Sequence, residues 1–366
     1  MLNRAMNEEG RRREAALRKA VRFFSEEASA EAEFKEKYGL ARRVVATKWG
    51  DKWSVAIGEK IVLQTQEGHY DFLNVLHDHA LDFLGSPFIE EEEAKLRERR
   101  HPAVRWLMDT VESSQRARES ADEEGLQQIG SGAAWFRFAY DLFTIADNAE
   151  LQKVMKARLT GPLSFQGARH ELRVAALCIA AGFTLAFQDE SDNKKTHFEF
   201  VATDSESGLQ VAVEAKSRHR KGVQGFQLGK DVKPGSEVDV RKLVVDAYKK
   251  ETKLPFYVFI DVNLPPADTE TYAAWTGEIE KTMVHLIDEG YSPSPANAVF
   301  FSNDPSHYVE LAPIGGNEDM LWMKYVLAQN PRIAHPDVDV VSGFMKAFRQ
   351  RIVAPRELKS SGQKAG

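Results

Sequence analysis

Two apolar periods divide the chain. Near the start, residues 44–49, 53–57 and 60–63 are short β-branched or alternating runs, and Gly50-Asp51 makes the first break. That pattern predicts a small antiparallel hairpin or meander. From residue 71 to 84 the spacing becomes helical, and Gly85 and Pro87 stop it. A second helix is expected from His101-Pro102 to about 117, and a third over 133–158. In the third, Trp135, Phe138, Leu142, Ile145 and Leu151 recur near helical spacing, as core residues do. Residues 1–38 are charged and poor in apolar positions, which reads as a solvated helix. Residues 90–99 are a charge run and 120–131 a polar loop.

Gly161-Pro162 breaks the pattern and marks an expected domain boundary. After it come a helix over 165–181, apolar on nearly every side and closed by Gly182, and strands over 183–187, 196–202 and 209–216. A basic, glycine-rich connection (217–235), a helix (238–250) and a strongly apolar strand (255–262) follow. A helix over 271–290 and a short strand at 298–302 complete this region. Residues 313–340 carry Gly315-Gly316, Pro331 and Pro336 and read as partly irregular; an amphipathic helix at 341–353 and a disordered tail from 359 end the chain. The expected division is therefore a mostly helical module with a small meander (1–160), a central domain (161–312) and a C-terminal extension (313–366).

Composition narrows the class. The chain has 366 residues, 43% hydrophobic and 28% charged, as a soluble globular protein does. Its single cysteine, Cys178, lies in an apolar helical run; it excludes an internal disulfide framework, fits a reducing, cytoplasmic setting and reads as a buried structural thiol. The longest apolar run, 174–183, is too short for a bilayer, and no apolar stretch follows the N-terminal arginines as a secretory signal requires. The net charge of −6 neither announces nor excludes a nucleic-acid partner.

Candidate chemistry concentrates at residues 196–218. With a strand period of two, Glu214 and Lys216 share one face while Val211, Val213 and Ala215 share the other. On the preceding strand His197 and Glu199 share a face opposite Phe198 and Phe200. Two carboxylates and an ammonium arranged this way could hold a divalent metal and a polarised water. The Glu-x-Lys spacing itself is common: it recurs at Glu33/Lys35, Glu93/Lys95, Glu251/Lys253 and Glu357/Lys359, all in charged helical or tail sequence. Only the Glu214 copy ends an apolar β-branched run. His77-Asp78-His79 does not share a helix face and reads as surface histidines; Gly225, Gly229, Lys230 and Asp231 miss the phosphate-loop spacing and its Ser/Thr.

This order, α-β-β-β-α-β, with Glu171 on the first helix, an acid on the second strand and Glu214-x-Lys216 on the third, resembles the PD-(D/E)xK, or restriction-endonuclease-like, nuclease superfamily over about residues 163–263. The resemblance implies an α/β fold (α+β overall) whose mixed sheet has that core, and metal-dependent hydrolysis of phosphodiesters, most readily of DNA. It nominates Glu199, Glu214 and the Ala215 carbonyl as ligands of Mg²⁺ or Mn²⁺, Glu171 as a further acid, and Lys216 as the group orienting water and offsetting phosphorane charge. The usual strand Asp is replaced by His197, with Thr196 where Pro is common; Glu199 serves as the substitute acid and His197 as an accessory neighbour. The alternative is a weakly active or inactive nuclease-like domain that binds nucleic acid or a protein.

Charge agrees with a phosphate-rich partner. Residues 211–253 hold eleven Lys/Arg against six Asp/Glu, a local net of +5, and Arg218, Arg220 and Lys221 directly follow the motif as candidate phosphate contacts. The N-terminal module could recognise substrate, dimerise or contact another protein.

Overall fold

The computed structural model describes residues 44–49, 52–57, 60–66, 72–120, 130–161, 163–187, 199–225, 238–311, 321–328, 331–333 and 338–354. The helix expected over 1–38, most of the 120–131 loop, Thr196, His197, Gly229-Lys230-Asp231, Gly315-Gly316 and the tail from 359 lie outside these residues. The chain separates into two compact units, Met1–Val75 with Pro355–Gly366, and Leu76–Ala354.

In the first unit the alternating runs form the expected antiparallel meander: β1 (Val44–Trp49), β2 (Lys52–Ile57) and β3 (Lys60–Gln66), with a register shift at Val55/Ala56.

Helix α1 (Phe72–Leu84) is followed by α2 (Ser86–Glu93), α3 (Pro102–Ser120), α4 (Gly130–Thr144), α5 (Ala149–Leu159) and α6 (Phe165–Ala180). The single helix expected over 133–158 is two helices. Asn148 ends the continuity, because its side chain accepts a hydrogen bond from Leu151 N and caps α5. His77 and His79 are half-buried rather than surface residues: His77 Nδ1 accepts from Trp135 Nε1, and the His79 ring meets Phe143 edge-on.

An open, mixed six-stranded sheet forms the centre of this α/β unit. Its strands are β4 (Phe183–Phe187), β5 (Phe200–Asp204), β6 (Gln210–Ser217), β7 (Phe256–Asp261), β8 (Ala298–Asn303) and β9 (Trp322–Leu327), in spatial order β4-β5-β6-β7-β8-β9. Strands β4, β5 and β6 are antiparallel, β6–β7 and β7–β8 are parallel, and β9 returns antiparallel. The parallel pairs need crossovers, which α7 (Arg241–Tyr248) and α8 (Thr269–Asp288) supply. Strand β9 falls within the 313–340 stretch expected to be partly irregular; its apolar and polar positions barely alternate, and its ladder with β8 forms it.

Strands sheltered on both faces read as continuous apolar runs, and β7 is buried from Phe256 through Ile260. On one face Ala212, Val258, Ile260, Val299 and Phe301 pack with Val244 of α7 and Trp275 and Ile279 of α8. On the other, α6 packs against β4 and β6, and Phe344 of α9 (Val338–Gln350) meets the rings of Phe183, Tyr257, Phe259 and Phe300.

The boundary expected at Gly161-Pro162 is not a division between domains. Phe165, at the start of α6, is fully buried, with its ring centroid 4.6 Å from His101, 5.6 Å from Trp106 and 6.1 Å from Phe138. Such aromatic packing joins α3 and α4 to α6 in one core. The described part of the C-terminal extension, up to Ala354, likewise belongs to this unit, because β9 and α9 complete the sheet and one of its covers. Among the described residues, no helix is long and apolar enough to cross a membrane.

Candidate active site

Strand β6 is buried at every position from Val211 to Ala215, so its Glu214 face is covered too. Ala212, on the Glu214 side by strand alternation, joins the apolar cluster under α7 and α8. Glu214 continues that face at 0% exposure. Glu214 Oε1 is ion-paired, with Lys216 Nζ at 2.6 Å and Lys250 Nζ at 3.6 Å, while Oε2 is buried without a hydrogen-bond partner. A buried carboxylate with an unsatisfied oxygen is costly, and such groups mark strained or functional positions.

Glu199 enters from β5. The β5–β6 register pairs Phe200 with Val213 and Val201 with Ala212, so one further step sets Glu199 opposite Glu214. Strand β4 ends at Phe187, opposite Phe200, and leaves Glu199 beyond its last pair. Burial, then the neighbouring charges of Glu171 and Glu214, push the Glu199 carboxyl up to about 8, against partial relief from Lys216 and Arg158. Burial opposes the Lys216 ammonium, but Glu214, with Glu199 and Glu171, more than offsets this and raises the lysine above its ordinary value.

Glu171 lies in α6, two turns from its start. Its Oε2 accepts a 2.6 Å bond from Arg158 Nη1, which is also 3.5 Å from Glu199 Oε2. His219 stands beside it: a Cβ on Gly167 would be 3.1 Å from His219 Nε2 and 3.9 Å from Glu171 Oε1, so glycine keeps room for the imidazole. Burial lowers the His219 pKa, against the pull of Asp261 and Glu171.

The four residues nominated from sequence, Glu171, Glu199, Glu214 and Lys216, thus form one electrostatically linked cluster. Ala215, nominated through its carbonyl, is buried within the β6–β7 ladder opposite Phe259. His197 lies outside the described residues. Among the described residues no group of three or more His, Cys, Asp and Glu is gathered as a metal site; the acids here are paired with Arg158 and Lys216 instead. The donor set nevertheless suits a hard divalent cation, which takes carboxylate oxygens, and the buried Oε2 of Glu214, which has no hydrogen-bond partner, is an acceptor of that kind.

The basic run after the motif splits. Arg220 is 3% exposed. Its Nη1 donates to Asn263 O (3.1 Å) and Tyr308 Oη (3.3 Å), and its backbone N donates to Gln166 Oε1. The expectation that it contacts phosphate is corrected: it fastens the turn after β6 to α6 and the β7 exit. Arg218 is half-buried, its backbone N bonded to Asp261 O and its carbonyl accepting from Asn263 Nδ2, while Lys221 is exposed. Sequence reasoning missed Arg158 and Lys250, each at the end of a helix among ordinary surface lysines and arginines with no local signal. His219 was visible only as part of a basic run.

In comparisons with known proteins, no family model, no curated protein and no solved structure matches the chain.

Proposed function

We propose that the chain is a metal-dependent nuclease of the PD-(D/E)xK kind, hydrolysing phosphodiester bonds in DNA. The observation that carries this reading is the convergence of Glu171, Glu199, Glu214 and Lys216 at the ends of β5 and β6. It occurs in a segment whose element order, α6-β4-β5-β6-α7-β7, matches the α-β-β-β-α-β core of that superfamily.

Glu199 and Glu214, with the Ala215 carbonyl, would hold Mg²⁺ or Mn²⁺, and Glu171 would add a further oxygen. Such an ion, when bound, stabilises negative charge on phosphoryl oxygens and acidifies a water. The chain's own groups do the rest. Lys216, a compact charge with three rotatable donors, orients the attacking water and offsets charge on the phosphorane. Lys250, 3.6 Å from the same Glu214 oxygen, adds a second cation for the phosphate oxygens. The covered faces of β6 exclude bulk water and strengthen each of these interactions. Lys221 and Arg218 neutralise the phosphates that flank the scissile bond.

A second reading follows from one specific feature. The strand acid is displaced by two residues, with His197 in its usual position, as in a domain that binds nucleic acid without cutting it. One experiment separates the two. Purified protein is incubated with supercoiled plasmid, linear duplex, single-stranded DNA and RNA, with Mg²⁺ or Mn²⁺ and then with chelator. Cleavage of DNA that stops with chelator supports the nuclease. Binding without cleavage under every metal supports the second reading, and cleavage confined to RNA changes the substrate assignment.

A further inference from the structure

The cations closest to the acids belong to the chain itself. Lys216 comes from the same strand as its partner Glu214, two residues on. Arg158 has a different origin, the last turn of α5, which ends at Leu159 in the helical layer. Its Nη1 is 2.6 Å from Glu171 Oε2 and 3.5 Å from Glu199 Oε2, so one guanidinium spans the two acids that come from α6 and β5. Neither acid is on the same element as the other or as Arg158. The contact is therefore produced by tertiary packing and not by helix periodicity.

A guanidinium stays charged at every working pH and can satisfy two carboxylates through its fork of donors. In this position it balances two acids that would otherwise repel each other. It also occupies the oxygens that a divalent cation would need. The Arg158 side chain is 25% exposed, which leaves solvent on one side for it to withdraw into.

We infer that Arg158 is the resident counter-ion of the Glu171–Glu199 half of the site, and that a divalent cation binds there only by displacing it. The inference rests on the cation-dependent reading of the site proposed above. It gives Arg158 a regulatory role. With no divalent ion bound, the arginine keeps the acids assembled and unreactive; a cation that outcompetes it switches the site on. A backbone phosphate, which takes the same bidentate donors, offers the displaced guanidinium a new partner.

The test is calorimetric titration of Mn²⁺ into the full chain and into Arg158→Met, Arg158→Lys and Glu199→Gln, each checked for folding by circular dichroism. Arg158→Gln replaces the Met variant if that protein does not fold. Removing a like charge beside a cation seat tightens binding, so Arg158→Met should bind Mn²⁺ about tenfold more tightly than the native protein. Arg158→Lys should stay close to native, and Glu199→Gln should bind more weakly. Unchanged or weaker binding by Arg158→Met, with native binding lost in Glu199→Gln, would overturn the displacement role and leave the metal site standing. No Mn²⁺ binding by any of the proteins, or native-like binding by Glu199→Gln, would overturn both.

Discussion

Glu199 stands across from Glu214, one step beyond the last pair of the β5–β6 ladder, Phe200 with Val213. Like charges placed opposite each other on neighbouring strands destabilise a sheet. Burial is the larger cause here, and with the charges of Glu171 and Glu214 it pushes Glu199 up to about 8. A carboxyl whose pKa rises on folding holds its proton more tightly in the folded than in the unfolded protein. Its contribution to stability is therefore lost as pH climbs from the ordinary 4.5 toward 8. At pH 7 that loss is on the order of 3 kcal/mol. Glu199→Gln, which carries no charge, should be more stable than the native protein at pH 7 and should lose less stability between pH 5 and pH 8. Urea denaturation at the two pH values measures both; equal pH dependence in the two proteins would contradict the burial and crowding of Glu199.

The two cations after β6 should behave in opposite ways. Arg220→Ala removes a buried guanidinium that donates to Asn263 O and Tyr308 Oη, so it should cost roughly 2–4 kcal/mol of stability. Lys221→Ala, at an exposed position, should leave stability within about 0.5 kcal/mol. If Lys221 contacts a phosphate, its loss should weaken DNA binding evenly across sequences and reduce the slope of log affinity against log salt by about 1. Thermal unfolding and fluorescence anisotropy at several salt concentrations separate the two residues.

Helices α3 and α4 should prove inseparable from the sheet. Phe165→Ala empties a site walled by His101, Trp106 and Phe138 and should cost about 3–5 kcal/mol. A fragment starting at residue 161 exposes the same apolar surface on α6. It should bind a hydrophobic dye and lack a cooperative thermal transition, whereas residues 76–354 together should unfold in one step. A cooperative, dye-silent fragment would restore the boundary at Gly161.

The legible parts of this chain are those governed by local pattern. Helix α6 and strand β4 lie within a residue of their expected limits, since Gly182 punctuates an unbroken apolar helix and the strand after it is short and bounded. The facing of Glu214 and Lys216 follows from strand alternation alone. What required tertiary structure was hidden for physical reasons. Strand β9 depends on the β8 ladder more than on its own alternation. Asn148 reads as one more polar residue in a helical stretch until its side chain is seen capping α5. Arg220 and Lys221 are neighbours of like charge, and only the position of Asn263 and Tyr308 decides which is buried. Arg158 reaches the site from a helix thirteen residues before Glu171, a relation no local spacing encodes.

The most direct measurement is the rate of Mg²⁺-dependent nicking of supercoiled plasmid by native protein beside Glu214→Gln and Lys216→Met, all three shown to be folded. Groups that act on the developing charge of a reaction are worth about 10²–10⁴-fold in rate. The native protein should nick the plasmid, chelator should stop it, and each substitution should slow it by that order while DNA binding persists. Nicking at native rates in both variants, or none by the native protein with Mg²⁺ or Mn²⁺, would contradict it.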